Sequence, residues 1–191
     1  IEENLIDKIT KHKKLKINKF FSLDEKITGQ SHLKKINIIT KFLKKNKFDH
    51  IFISAPENVA WLLNIRGKDS PTSPIPNSHL LISHNGKKIL IAPKIKLKNL
   101  IKKRLIKTDE IIEPKEYYKI NNRLSGSKIL LDIKSCSLKF EEFFSKKFKV
   151  FKKNDPIYYL KSIKNKVEID NTIKAHVQDG VALTKFLFWI K

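Results

Sequence analysis

The chain has 191 residues, and its 40% hydrophobic content is enough for one substantial buried core with additional segments. No stretch approaches the roughly 20 uncharged apolar residues that cross a membrane, so no membrane partner is expected. Cys136 is the only cysteine. It excludes an internal disulfide and a multi-cysteine zinc site, and it favours a reducing, cytoplasmic location.

The net charge of +22 suggests nucleic acid as one class of partner. Only Arg66, Arg104 and Arg123 among the 41 basic residues are arginine, however, and the lysines are spread over nearly every segment. Nucleic-acid sites favour arginine for bidentate contacts to phosphates and bases. We therefore expect solvated surface lysines and no nucleic-acid partner.

The first half of the chain begins with a lysine-rich segment, residues 1–30, which predicts only a connector. The range Ser31–Lys45 is predicted to be an amphipathic helix because its apolar residues recur at helical spacing, namely Leu33, Ile36, Ile39, Phe42 and Leu43. Phe48–Ser54 follows as a strand. Ser54 and Glu57 have the spacing of a capping box, which predicts a helix through about Asn64 that ends at Gly67.

Residues 67–78 contain three prolines and several serines or threonines, a composition typical of a loop. Asn85-Gly86 then lies between two apolar runs, His79–Ser83 and Lys88–Ala92. The Asn-Gly pair tolerates the positive φ angles of a type I′ turn. This segment predicts a β-hairpin, which we place at the edge of a sheet.

The remaining segments alternate between helical and strand patterns. Helices are predicted at Lys94–Ile106, Tyr117–Leu124 and Leu138–Phe148, and strands at Glu110–Glu113, Lys128–Ile133 and Lys149–Lys152. Such alternation requires crossover connections. The predicted fold class is therefore α/β, with a mixed, largely parallel sheet and helices on both faces, over residues 31–153.

The last part of the chain is predicted to be a linker, residues 154–164, followed by one helix in residues 165–191. Asp155-Pro156 supplies a helix start signal. The apolar stripe of the terminal helix reaches Lys191 without a stop signal, and the chain begins with Ile1. We expect that both ends are cut and that Val181, Phe188 and Trp189 are partly exposed.

Residues with catalytic chemistry are scarce in the sequence. The six histidines stand singly, and no HExxH, GxSxG, P-loop or GxGxxG pattern is present. Cys136 lies between a predicted strand and helix, where a structural thiol is the better interpretation. We expect no catalytic residue and no metal ligand in this chain.

Asn64, Arg66 and Asp69 are the candidate functional residues. They follow an apolar helix and enter the proline-rich loop, and loops anchored on rigid elements commonly carry recognition groups. They are assigned to a domain interface or a substrate-side loop. The alternative is structural, with Arg66 pairing with Asp69 or capping the end of the helix.

The segment Ala60-Trp61-Leu62-Leu63-Asn64-Ile65-Arg66-Gly67 resembles a motif of three-domain aminopeptidases P, in the creatinase and prolidase superfamily. Thr28-Gly29-Gln30-Ser31 is similar to the start of their second domain. Lys166-Val167-Glu168-Ile169 and Ala175-His176-Val177-Gln178-Asp179-Gly180 resemble the start of their catalytic domain. The resemblance covers about residues 28–191. Ser70-Pro71-Thr72-Ser73-Pro74 departs from it by lacking a histidine often found in that loop.

The resemblance implies that residues 1–30 connect to a preceding domain, 31–153 form a non-catalytic middle domain and 165–191 begin the catalytic domain. In that family the catalytic domain holds two divalent metal ions, usually manganese, and hydrolyses the bond before a penultimate proline. Proline-containing peptides, the catalytic domain itself and a homodimer are the implied partners. An alternative parent is a catalytically inactive homologue that binds peptides or other proteins.

Overall fold

The computed structural model describes residues 17–191, so the apolar residues of the predicted connector up to residue 16 lie outside the described part. The strands are β1 Phe21–Ser22, β2 His50–Ile53, β3 Ile65–Arg66, β4 His79–Ser83, β5 Lys88–Ile91, β6 Ile111–Ile112, β7 Lys128–Asp132 and β8 Lys149–Lys153. The α-helices are α1 Glu25–Thr28, α2 His32–Lys45, α3 Pro56–Leu63, α4 Lys94–Lys102, α5 Leu138–Ser145, α6 Pro156–Ser162 and α7 Lys166–Trp189. Short 3₁₀ turns lie at Thr108–Glu110, Pro114–Lys119 and Asn121–Arg123.

The centre of the fold is a six-stranded sheet with the order β6-β5-β4-β2-β7-β8. The pairs β2 with β7, β7 with β8 and β5 with β6 are parallel. Strand β4 is antiparallel to both β2 and β5. The predicted mixed, largely parallel α/β fold is therefore confirmed.

Alternating strand residues supply two hydrophobic clusters, one on each face of the sheet. In β2, for example, Ile51 and Ile53 join the cluster under α2, α3 and α4, whereas Phe52 joins the cluster under α5. This alternation places helices on both faces, as the sequence predicts. Helix α2 begins after its N-cap Ser31, which accepts a hydrogen bond from the Lys34 amide, and ends at Lys45.

The hairpin is present, but two details of its prediction are wrong. Ser83 and Lys87 close a three-residue loop through a backbone hydrogen bond of 2.8 Å, and within it only Gly86 has a positive φ, of 88°. This is a type I turn followed by a bulged glycine rather than a type I′ turn. The hairpin also lies inside the sheet, because β6 pairs with the outer side of β5.

Two helix predictions also need correction. Helix α3 has Ala55 as its N-cap without a side-chain hydrogen bond, since the Ser54 hydroxyl instead bonds the Ser135 hydroxyl at 2.7 Å. The helix ends at Leu63, with Asn64 in the left-handed conformation, and does not continue to Gly67. The segment predicted as a helix at Tyr117–Leu124 consists of 3₁₀ turns. A 3₁₀ turn rises about 2.0 Å per residue, so it spans more distance than an α-helix with the same few residues.

Segments on either side of residues 31–153 pack against the sheet domain. Phe20 is buried in the core, and β1 pairs with β3. Ile157 of α6 is also buried, so the predicted linker contains a packed helix. Helix α7, in contrast, has no buried residue, and Val181, Phe188 and Trp189 are exposed as expected.

Candidate functional site

Asn64 is buried at the end of α3 and holds neighbouring segments together. Its left-handed conformation, with φ 53°, closes the helix. Its side-chain oxygen accepts a hydrogen bond from Lys35 Nζ at 2.8 Å, and its amide nitrogen donates to the Gln30 carbonyl at 2.7 Å. The structure therefore gives Asn64 a structural role between α2 and the segment after α1.

Arg66 lies in β3 and caps the preceding helix. Its Nη1 donates to the carbonyl of Ala60 in α3 at 3.2 Å and to that of Ile65 at 2.8 Å. Burial lowers the pKa of the guanidinium, and the nearby carboxylate of Glu168 acts in the opposite direction. The sequence left two structural roles for Arg66, pairing with Asp69 or capping the helix end, and the structure shows the helix cap.

Asp69 faces a different part of the molecule. It accepts a charged hydrogen bond of 2.6 Å from Lys96 in α4 and one of 2.8 Å from the Asn77 backbone amide. These two hydrogen bonds hold the proline-rich loop against the rest of the domain. The three predicted site residues therefore do not converge, since Arg66 and Asn64 border different cavities and Asp69 is paired with Lys96.

Lys35 is a buried charged residue that the sequence analysis missed. Its side chain is 2% exposed, and Nζ donates to the Trp61 carbonyl at 3.0 Å and stands 4.1 Å from the centre of the Trp61 ring. Burial lowers the Lys35 pKa to about 8, with Glu168 raising it and Arg66 lowering it further. Lys35 precedes Ile39 and Leu43 at intervals of four residues, so its position on the apolar face of α2 was readable from the sequence.

Two adjoining cavities, which we call the double cleft, lie beside α3 and the loop after it, the first against the first turns of α7 and the second against the end of α6. One has a volume of about 360 Å³ and the other about 250 Å³. Trp61, Arg66 and Lys164 line both cavities. Glu168 borders the first and Glu57 the second. The double cleft is thus lined by polar side chains from α3, from the segment between α6 and α7, and, in the first cavity alone, from α7.

A joint between helix ends fixes the start of α7. Asn165 and Glu168 form a capping box, in which each side chain accepts a hydrogen bond of 3.0 Å from the backbone amide of the other. Asn165 Nδ2 also donates to the Thr28 carbonyl at 2.9 Å. Gly29, which ends α1 with φ +68°, lies so close that an added Cβ would stand 2.1 Å from Asn165 Oδ1. The segment around α1 therefore positions α7.

A second polar network connects the carboxyl ends of β2 and β7 to α6. Asp132 accepts hydrogen bonds from the Ser135 hydroxyl at 2.6 Å and from the Asp155 amide at 3.0 Å. Asp155 caps α6 and accepts a hydrogen bond of 2.8 Å from Asn58. Burial raises the Asp155 pKa to about 6. Because each carboxylate is already paired within the fold, this network serves to attach α6 to the sheet.

Residues 17–191 contain no cluster of metal ligands, and their one thiol is not activated. No three His, Cys, Asp or Glu side chains of that range are arranged to hold a metal ion. Burial raises the pKa of the Cys136 thiol to about 11, which disfavours the reactive thiolate. The described residues therefore do not fit a dinuclear metal centre. Within the same range, no helix is long and apolar enough to span a bilayer.

These features define a mixed α/β domain whose described polar groups chiefly hold its own loops and helices together. The chain belongs to the Creatinase/Prolidase N-terminal domain family, which it matches over residues 11–168. Xaa-Pro aminopeptidase 1 of Dictyostelium discoideum is 33% identical to it over an alignment of 199 positions, gaps included, that covers 99% of this chain and 31% of that protein. Xaa-Pro aminopeptidase ApepP of Drosophila melanogaster is 30% identical over 100% of this chain and 32% of its own length.

The fold matches a solved structure from Caenorhabditis elegans, an X-prolyl aminopeptidase described as a cytosolic enzyme with a di-nuclear active site. The TM-score is 0.86 at 23% identity, over 100% of this chain and 32% of that one. At this identity the match shows the fold alone. The chain spans about a third of the length of these relatives. The resemblance to the aminopeptidase P family inferred from the sequence is confirmed.

Proposed function

We propose that this chain is a non-catalytic domain of a dimetal Xaa-Pro aminopeptidase, which removes an N-terminal residue that precedes proline. The observation that carries the proposal is the 33% identity, over 99% of the chain, to a protein named Xaa-Pro aminopeptidase 1. In this proposal the two divalent ions, manganese by resemblance to the family, are bound by residues of a separate catalytic domain. Those ions would supply Lewis-acid chemistry there.

The described geometry supports a positioning role for the domain. Helix α7 corresponds to the expected first helix of the catalytic domain, and the Asn165 joint fixes its start against the segment around α1. Arg66 and Trp61 line the cavity beside that helix. We therefore assign Asn64, Arg66 and the loop after them to the boundary with the catalytic domain, with Asn64 acting from the interior.

The remaining partners follow from the same proposal. Proline-containing peptides would be bound by the whole enzyme, and a homodimer would form through regions largely outside this chain. A cytoplasmic location is supported by the single cysteine and by the solved relative that is described as cytosolic.

The test compares residues 1–191 with the longer polypeptide that we propose contains them. The longer polypeptide should hold two manganese ions and cleave Xaa-Pro peptides, whereas residues 1–191 should do neither. Hydrolysis by residues 1–191 that depends on added manganese and stops with a chelator would refute the non-catalytic assignment. A longer polypeptide with neither metal nor activity, but with measurable peptide binding, would instead support the inactive homologue.

A further inference from the structure

The two edges of the central sheet differ in what they offer to another polypeptide. At one edge, β6 has only two residues, Ile111 and Ile112, and both are buried. At the other edge, β8 has five residues, Lys149–Lys153, and none of them is buried. Within residues 17–191, no strand pairs with the outer side of β8. Strand β8 is therefore the edge of the sheet that is open to an added strand.

The outward backbone groups of β8 belong to Val150 and Lys152. The Lys149 amide donates to the Ser127 carbonyl at 2.7 Å, so the backbone groups of Lys149 face β7. The register of the β7–β8 pair continues without a break to Lys153. Because the backbone groups of successive strand residues point to opposite sides, the N–H and C=O groups of Val150 and Lys152 point away from the sheet. Such a row of donors and acceptors matches another polypeptide backbone.

One face of this edge carries two lysines around an aromatic ring. Side chains alternate between the faces of a strand, so Lys149, Phe151 and Lys153 share a face. Phe151 is half-buried, and its ring centre lies 5.2 Å from that of Phe48. The ammonium group of Lys149 lies 5.6 Å from the Phe151 ring, and that of Lys153 lies 5.5 Å from the Phe48 ring. Neither lysine forms an ion pair with a carboxylate of residues 17–191.

Charge decides which polypeptide this edge accepts. Lys149 and Lys153 are exposed and stand about 13 Å apart along the strand. Lys152, on the opposite face, already pairs with Glu141 at 2.8 Å. A second copy of β8 would bring the same lysines together, and like charges opposite each other destabilise a strand pair. A segment with carboxylates at the spacing of Lys149 and Lys153 neutralises both lysines instead.

We propose that the outer edge of β8 binds an acidic polypeptide segment as an added strand. The segment carries acidic residues two positions before and two positions after an apolar residue. Its carboxylates then lie opposite Lys149 and Lys153, and its apolar side chain lies opposite Phe151. Its backbone supplies the donors and acceptors for Val150 and Lys152. The pattern is symmetric, so it fits either strand direction, and the site goes beyond the proposed peptidase role.

The test follows the backbone ¹⁵N–¹H signals of Val150 and Lys152 in the 191-residue chain while a peptide is added. The probe is acetyl-Thr-Glu-Thr-Val-Thr-Glu-Thr-amide. Two control peptides replace both glutamates, one with glutamine and one with lysine. A third keeps the glutamates but carries N-methyl groups on its three central residues, so it keeps the charge and loses the backbone donors. Oligothymidylate tests a nucleic acid as the occupant.

The acidic peptide should give saturable downfield shifts of both amides, and the glutamine and N-methyl peptides should bind at least about threefold more weakly. Lys149→Glu combined with Lys153→Glu should reverse the preference, so that the lysine peptide binds more tightly than the acidic one. Lys98→Glu combined with Lys102→Glu is the matched control in α4, with the same change of net charge. It should keep the preference for the acidic peptide. All four lysines are exposed, so neither variant removes a buried side chain.

The proposal is overturned if the acidic peptide gives no saturable shift at Val150 and Lys152, since the lysines would then serve only to keep the edge unpaired. It is also overturned if the N-methyl peptide or oligothymidylate has the same effect, which would show attraction by charge alone. An unchanged preference after charge reversal at Lys149 and Lys153 would equally contradict it. Shifts of the same amides with rising chain concentration, without peptide, would make a second copy the occupant and overturn the acidic segment.

Discussion

The Asp155→Asn substitution tests how the fold accommodates a buried carboxyl group. Asp155 is 3% exposed and caps α6 through a 2.8 Å hydrogen bond from the Ile157 amide. Its other oxygen accepts from Asn58 Nδ2, whose own oxygen accepts from Lys161. The substituted side chain would keep the cap through its remaining oxygen but would place two amide N–H groups face to face. The variant should therefore be less stable than the unaltered chain at low pH.

The difference in the free energy of unfolding between the unaltered chain and Asp155→Asn should shrink as pH rises. Burial raises the Asp155 pKa from 3.8 to about 6, chiefly because it penalises the charged form, with Asp132 adding to the effect. The folded chain then holds this proton more tightly than the unfolded chain. The resulting stability is present below 3.8 and is lost as pH rises through about 6. Two pKa units correspond to about 3 kcal/mol.

The assay is urea unfolding of both chains from pH 4 to pH 7.5, with the free energies of unfolding subtracted at each pH. Subtraction is needed because burial lowers the pKa of His50 and His79, which gives the opposite slope. Asp24→Asn is the matched control, since Asp24 caps α1 from an exposed position. If the Asp155 and Asp24 difference curves run parallel over this range, burial of the Asp155 carboxyl is not the cause and the reasoning fails.

Three further predictions concern the joint, the terminal helix and the buried lysine. Gly29→Ala should cost at least about 1 kcal/mol more in urea unfolding than Gly86→Ala, because both have positive φ but only Gly29 would displace Asn165. Equal costs would refute the close packing of the joint. If the exposed helix drives association, deleting residues 165–191 should lower the oligomeric state measured by sedimentation and preserve cooperative unfolding of the domain. Unfolding of the domain after the deletion would show that the helix belongs to it. The stability of the unaltered chain relative to Lys35→Met should rise between pH 8 and pH 10, because burial lowers the Lys35 pKa and the folded state binds fewer protons; a flat difference would refute it.

Elements with a strong hydrophobic period were predictable from the sequence. Strands such as β2 and helix α2 place their apolar residues on one face or in the sheet core, and burial favours the same pattern that local propensity allows. Ser54 shows where this reasoning stops. Its capping-box spacing is genuine, but its hydroxyl bonds Ser135, a residue 81 positions away. A long-range partner cannot be read from local spacing.

The loop that carries the candidate residues was readable from the sequence, whereas the contacts of those residues were not. The sequence indicated the loop that contains Arg66, which does border a cavity. It treated Asn64, Arg66 and Asp69 as one group, although tertiary contacts direct them to Lys35, to α3 and to Lys96 respectively. The lack of an acceptor for Trp61 Nε1 among residues 17–191 depends on which side chains surround it. No sequence pattern records that environment.

Helix α7 connects the local structure to the proposed function. The apolar residues at its end are each more than half exposed, namely Leu183, Phe186, Leu187, Phe188, Trp189 and the C-cap Ile190. At 100° per residue they lie all around the helix, a distribution that is stable when a helix is buried on every side. Within the described residues the only hydrogen bonds from α7 and its cap to α1 come from Asn165 and Asn171. The contacts with α1 therefore fix where α7 starts and leave its apolar end exposed, an arrangement that suits the proposal that this domain orients a catalytic domain.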